Sequence, residues 1–279
     1  MIWPLEESPK ASSLPLDDPG FHIFEDFVTK KLGAFSSSQL AIPRDPYPRS
    51  YQSNDGDPPV TRQVKGQQNV IDVLRFAGEY SAGLTLGGHI DDSWLFQFCL
   101  FAEEACAEIE QRVWAKLLIE ELKQPATVAR RTLHALRQMD VWEIEQFSEY
   151  CSFSFSFESG WRFMFAEDFA WRELWSYGRE LDLTRHWVDI GLLSSKVESL
   201  NADSTKGLKL KYRESCWSIG DEILEQPSDI QRVFSYQRFQ SIGQQIALGV
   251  KTKPFNGFAR NVIKALNDTR AIGMVLDAQ

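Results

Sequence analysis

At 279 residues the chain is long enough for one large domain or two modest ones, and it can bury a proper core. Its 39 acidic and 30 basic residues give a net charge of -9 and a pI near 5.1, which excludes wholesale coating of nucleic acid but allows a local basic patch. The 19 Phe, 9 Trp and 7 Tyr favour a densely packed core or an adhesive interface.

No apolar run approaches the length that spans a bilayer, and MIWPLEESPKASS lacks the basic and apolar regions of a secretory leader. The expectation is a cytoplasmic protein with no membrane association. Cys99, Cys106, Cys151 and Cys216 show no C-x-x-C spacing. On one helix Cys99 and Cys106 would be separated by about 10 Å of rise, too far for a bridge. All four are therefore read as buried free thiols in a reducing compartment.

Residues 1–60 hold nine of the twelve prolines and are read as a partly disordered N-terminal arm. Within it, Phe21–Val28 suits one helix behind Asp17 or Asp18 and Pro19.

Residues 61–150 read as a helical module. Val70, Leu74 and Ala77 share one helix face, which Gly83, Gly87 and Gly88 close. His89, Asp91 and Asp92 are too few for a metal site, so an aspartate here is read as the cap of the next helix. Trp94, Phe98, Phe101, Ala105, Ile109, Val113 and Leu117 mark one long amphipathic helix that Pro125 stops. Its glutamates lack the Glu-x-x-His pairing of carboxylate metal sites and read as a solvated face. Thr127 opens another helix, with Ala129, Leu133, Leu136 and Met139 inward and Arg130, Arg131, His134 and Arg137 elsewhere. Asp140 and Glu143 have capping-box spacing and open a third helix carrying Val141, Ile144 and Phe147.

Residues 151–279 are of mixed type. Phe153, Phe155 and Phe157 alternate with serines, then Gly160 turns the chain and Trp161, Phe163 and Phe165 alternate again, which predicts a β-hairpin. Its aromatic face is expected to be covered by the same chain. Arg185–Ile190 predicts a short helix closed by Gly191. Lys196–Leu200, the turn NADSTKG and Leu208–Arg213 suggest a second hairpin, with Lys209, Lys211 and Arg213 on one side. A last helix is expected over Phe258–Leu266.

The stretch WAKLLIEELKQPATVARRTLHALRQMDVWEIEQF resembles the signature segment of the bacterial domain of unknown function 2806 family, and RFQSIGQQIAL resembles a late segment of it, with Gly243 matching. The likeness covers about residues 62–266 and is strongest over 111–147. Pro125-Ala126-Thr127 stands where the family has Pro-Gly, so alanine replaces the glycine of a tight turn. LTRHWVDIGLL resembles the short helix that precedes the wing of winged-helix proteins. Together these imply a predominantly helical α+β fold: a helical module followed by a winged-helix-like region with one or two hairpins. The family likeness implies no site residues. It implies a bacterial accessory protein, with some members in defence or mobile-element settings.

No P-loop, dinucleotide fingerprint, H-E-x-x-H, G-x-S-x-G or kinase signature is present, so no cofactor or metal is called for. His186 stands three residues before Asp189, within reach on a helix, but no nucleophile or oxyanion hole accompanies it. The expectation leans against an enzyme. The leading functional reading is an adaptor that acts through a protein partner or self-association. The alternative is a nucleic-acid-binding regulator using Arg130, Arg131, Arg137, Lys206, Lys209, Lys211 and Arg213. An enzyme with an unrecognised site is the third.

Overall fold

The computed structural model describes residues 59–84, 90–177, 183–201, 208–219, 232–255, 257–270 and 274–276. The arm expected over residues 1–60, its helix at Phe21–Val28, His89 and Lys206 lie outside them, save the start of α1 (Pro59–Ser81). The chain divides into two compact units, residues 1–126 and 127–279. The helices after residue 127 pack on elements of the second unit.

In the first unit α1 packs on α3 (Glu108–Lys123), with α2 (Asp92–Ala102) beside it. Val73, Phe76 and Ala77 of α1, Leu95 and Phe98 of α2, and Trp114, Leu117 and Leu118 of α3 are buried. Phe98 meets Trp114 edge-on with ring centroids 5.4 Å apart. Asp91 caps α2 as expected, its Oδ1 accepting the Trp94 N–H at 2.9 Å.

The single long helix expected through Pro125 is two helices. The chain turns over Glu103–Ala107, where Asn69 Nδ2 donates to the Glu103 carbonyl at 2.7 Å and Gln111 Nε2 to the Ala105 carbonyl at 3.0 Å. Glu110 then accepts the Ala107 N–H at 2.8 Å and starts α3. The periodicity runs on through the break because polar side chains from elsewhere satisfy the freed backbone groups. Cys106 is exposed, Cys99 and Cys216 are half-buried and Cys151 is buried, so only one of the four thiols matches the fully buried expectation.

After α3, Ala126 adopts a φ of +66°, the left-handed region, and its N–H donates to Glu121 Oε1 at 2.7 Å. The turn survives the loss of glycine, at the cost of a Cβ in a conformation that disfavours one. Ala126→Gly is therefore expected to stabilise the protein by about 1 kcal/mol, read as an upward shift in the urea midpoint. An unchanged or lower midpoint would show that the turn carries no such strain.

The second unit opens with α4 (Arg130–Arg137) and α5 (Val141–Ser152). The helix expected from Thr127 begins later, with Ala129 at its N-cap position; Leu133, Leu136 and Met139 are buried as expected, whereas Ala129, ahead of the first helical turn, is exposed. Glu143 Oε2 accepts the Asp140 N–H at 2.7 Å, the expected capping contact. Ile144 and Phe147 are buried and Val141 is exposed.

Among the described residues a seven-stranded antiparallel sheet follows, in the order β3-β6-β2-β1-β4-β5-β7. Its strands are β1 (Phe155–Phe157), β2 (Arg162–Phe165), β3 (Leu193–Asn201), β4 (Lys209–Tyr212), β5 (Ser215–Ile219), β6 (Arg232–Phe239) and β7 (Met274–Leu276). The other helices are α6 (Asp168–Ser176), α7 (Thr184–Asp189), α8 (Ser241–Gly249) and α9 (Phe258–Arg270). The fold is α+β, with more residues in helices than in strands among those described.

The hairpin β1–β2 forms as expected, with Phe155 opposite Phe163 and Gly160 at φ +86°. Phe155, Phe163 and Phe165 share one buried face with Tyr212, and Phe258 of α9 lies 6.2 Å from Phe155 and 5.8 Å from Tyr212. Coverage by the same chain is thus realised. On the opposite face, Phe239 of β6 meets Phe147 and Tyr150 of α5 at 5.7 and 6.1 Å.

The second expected hairpin is not made. β3 pairs with β6, while β4 pairs with β1 and β5, so three strands separate the two halves of the proposed wing. Alternation revealed the strands, but pairing is set by nonlocal burial, which alternation does not encode.

Candidate functional site

The basic residues singled out in the sequence fall into two sets on different elements. Arg130, Arg131 and Arg137 are exposed on α4. That helix is fixed to α8 by Gln245, whose Oε1 accepts the Ala129 N–H at 2.9 Å and the hydroxyl of buried Thr132. Lys209 and Lys211 lie on β4 inside the sheet, with Lys209 3.8 Å from Glu158, and Arg213 follows in a turn at φ +56°. The register adds a cation that the sequence reading passed over. Lys211 faces Ser156, and Ser156 faces Arg162, which places the three in one cross-strand row on the face opposite Phe155 and Phe163. Arg162 alternates with Phe163 in β2, and that alternation was its only sequence signal.

The adjoining α8 turn is tightly built. Gln240 N–H donates to the Leu192 carbonyl at 2.8 Å, and a Cβ added to Gly243 would come within 2.1 Å of that same oxygen. Gln244 holds the β1–β2 hairpin, its Oε1 accepting the Arg162 N–H at 2.9 Å and its Nε2 donating to the Gly160 carbonyl at 2.8 Å. The segment SIGQQ therefore positions α4, the hairpin and the start of β3 together.

Two clefts meet at Gly191, where α7 ends and the chain turns into β3. One, of about 290 Å³, is lined by Arg131, Ser195, Gln240 and Ser241 among others. The second, of about 500 Å³, is lined by Gln138, Met139, Glu143, Asp189 and Ile190 among others. Gly191 has a φ of +78°, which lets α7 stop abruptly between them.

Glu143 forms the structural corner of the second cleft. One carboxylate oxygen caps α5, and the other lies 2.6 Å from His186 Nε2 on α7. The Trp142 ring sits 5.2 Å from the His186 ring. His186 was expected to reach Asp189, three residues on; instead it turns to α5, and Asp189 faces Arg185 at 3.9 Å. Nothing short-range in the sequence marks this pair, because its members are 43 residues apart.

Burial pushes the thiols of Cys151 and Cys99 up to about 12, so neither is a thiolate nucleophile near neutral pH. Among the described residues no group of three His, Cys, Asp or Glu side chains is placed to hold a metal ion. Among them, too, no helix is long and apolar enough to cross a membrane.

Comparison with curated proteins and with solved structures gives no match. One family, described as protein of unknown function (DUF2806), matches residues 60–262, from the start of α1 into α9. With most of its length matched, the chain belongs to the DUF2806 family.

Proposed function

We propose that the chain is a bacterial, cytoplasmic adaptor that works without catalysis, through contact with another protein. The observation that carries this reading is Trp142, 45% exposed beside Val141 at 37%, next in sequence to Glu143, which lines the larger cleft. A large exposed tryptophan beside a concave surface is the side chain most enriched at the energetic centres of protein interfaces. Free cysteines suit a reducing compartment.

Trp142→Ala is expected to change stability by about 1 kcal/mol, because the residue lies at the surface and its ring packs against half-buried His186. The same variant is expected to lose a stoichiometric protein that co-purifies with the wild type from a bacterial host after nuclease treatment. If Trp142→Ala retains every partner of the wild type, this face is not the interface.

A nucleic-acid-binding role is the second reading, favoured by the Lys211–Ser156–Arg162 row. Cations on β2 and β4, either side of β1, suit a phosphate backbone, and such binding weakens steeply with salt. The nuclease arm of the same purification tests it: wild-type protein that carries no nucleic acid before treatment counts against it.

A further inference from the structure

The two clefts beside Gly191 differ in the charge that lines them. Arg131 lines the smaller one with the hydroxyl-bearing Ser195 and Ser241, and it enters no ion pair among the described residues. Glu143 and Asp189 line the larger one. The carboxylate of Glu143 is already held by the Asp140 N–H and His186, so exposed Asp189 is the readier acceptor for a visiting cation. Apolar side chains, Ile242 in one cleft and Met139 and Ile190 in the other, supply contact surface.

Helix α4 borders both clefts, Arg131 lining the first and Ala135 the second, with the C-cap Gln138 also lining the second. From Arg131 to the C-cap Gln138 the rise is about 10 Å, which sets the scale between the two clefts and which an extended chain covers in about three residues. We propose that these clefts form one furrow that docks an extended segment of a partner protein, bearing an acidic and a basic residue about three positions apart. The acid pairs with Arg131 and the serine hydroxyls, and the base pairs with Asp189 and Glu143. This deepens the adaptor reading and rests on it, since it gives the partner's chemistry at the cleft lined by Glu143, next in sequence to Trp142. Opposite charges at the two ends also set the direction in which the segment lies, because the reversed segment would meet like charge at both.

The test is selection of a random dodecapeptide library on the immobilised full-length protein, followed by binding of the enriched peptides to Arg131→Glu and Asp189→Lys. Both positions are exposed, so both variants are expected to fold. The expected result is enrichment of paired acid and base at about that spacing, with binding weakened about tenfold or more by either substitution. The double reversal is expected to favour peptides with the two charges exchanged. Absence of a shared pattern, or enriched peptides indifferent to both substitutions, would overturn the proposal. So would a single-stranded oligothymidylate that binds in an Arg131-dependent manner, since it would give the cleft to nucleic acid. A partner that still depends on Trp142 while the peptide selection fails would leave the adaptor reading standing and remove only this docking chemistry.

Discussion

Gly243→Ala is expected to lower the melting temperature by roughly 6–12 °C, following from a loss of about 3 kcal/mol. The added methyl carbon would sit 2.1 Å from the Leu192 carbonyl oxygen, 2.8 Å from its carbon and 3.0 Å from its Cα. All three are backbone atoms, so no side-chain rotation relieves the clash. Relief needs α8 to move away from the α7–β3 turn, and three further contacts oppose that. Gln240 N–H is bonded to the same carbonyl, Gln244 grips the β1–β2 hairpin and Gln245 grips the start of α4. The cost should therefore exceed that of an ordinary helical glycine-to-alanine change, which raises helix propensity. Thermal melts followed by circular dichroism check it. A variant that melts with the wild type would mean that α8 slides freely over Leu192. Because the chain has two compact units, the transition belonging to the second is the one to compare.

Local chemistry in the sequence translated well into local structure. Asp140 and Glu143, three apart, gave the start of α5, and alternating Phe and Ser about Gly160 gave the β1–β2 hairpin. What failed was nonlocal. The α2–α3 break has no proline or glycine, and its cap residue is alanine; Asn69 and Gln111 make it possible, and only the fold brings Asn69 there. The supposed wing failed because two amphipathic strands joined by a polar turn describe a hairpin equally well whether or not they pair. Here β6 pairs with β3 and β1 with β4. The candidate site shows the same division. Arg131 was visible as a cation and Glu143 as a cap, but the furrow between them exists only after α7 packs on β3 and Gly191 turns the chain.

Glu143 is where the two levels meet, and its replacement carries the second large effect. Glu143→Ala is expected to cost about 2–3 kcal/mol. Loss of the cap on the Asp140 N–H accounts for about 1 kcal/mol. Leaving the half-buried His186 nitrogen without its partner at 2.6 Å accounts for the rest. Glu143→Gln keeps a side-chain oxygen for the Asp140 N–H and an amide near the imidazole, so it is expected to cost about half as much. The His186→Ala variant separates the two contributions. If the pair matters, the double variant Glu143→Ala with His186→Ala should be less destabilised than the sum of the singles, by about 1 kcal/mol in urea denaturation. Strict additivity would show that Glu143 acts through its cap alone. The distinction bears on function, because His186 anchors α7 to α5 and supports the Trp142 ring. Where the pair couples, Glu143→Ala should weaken the same partner that Trp142→Ala loses, while Glu143→Gln retains it.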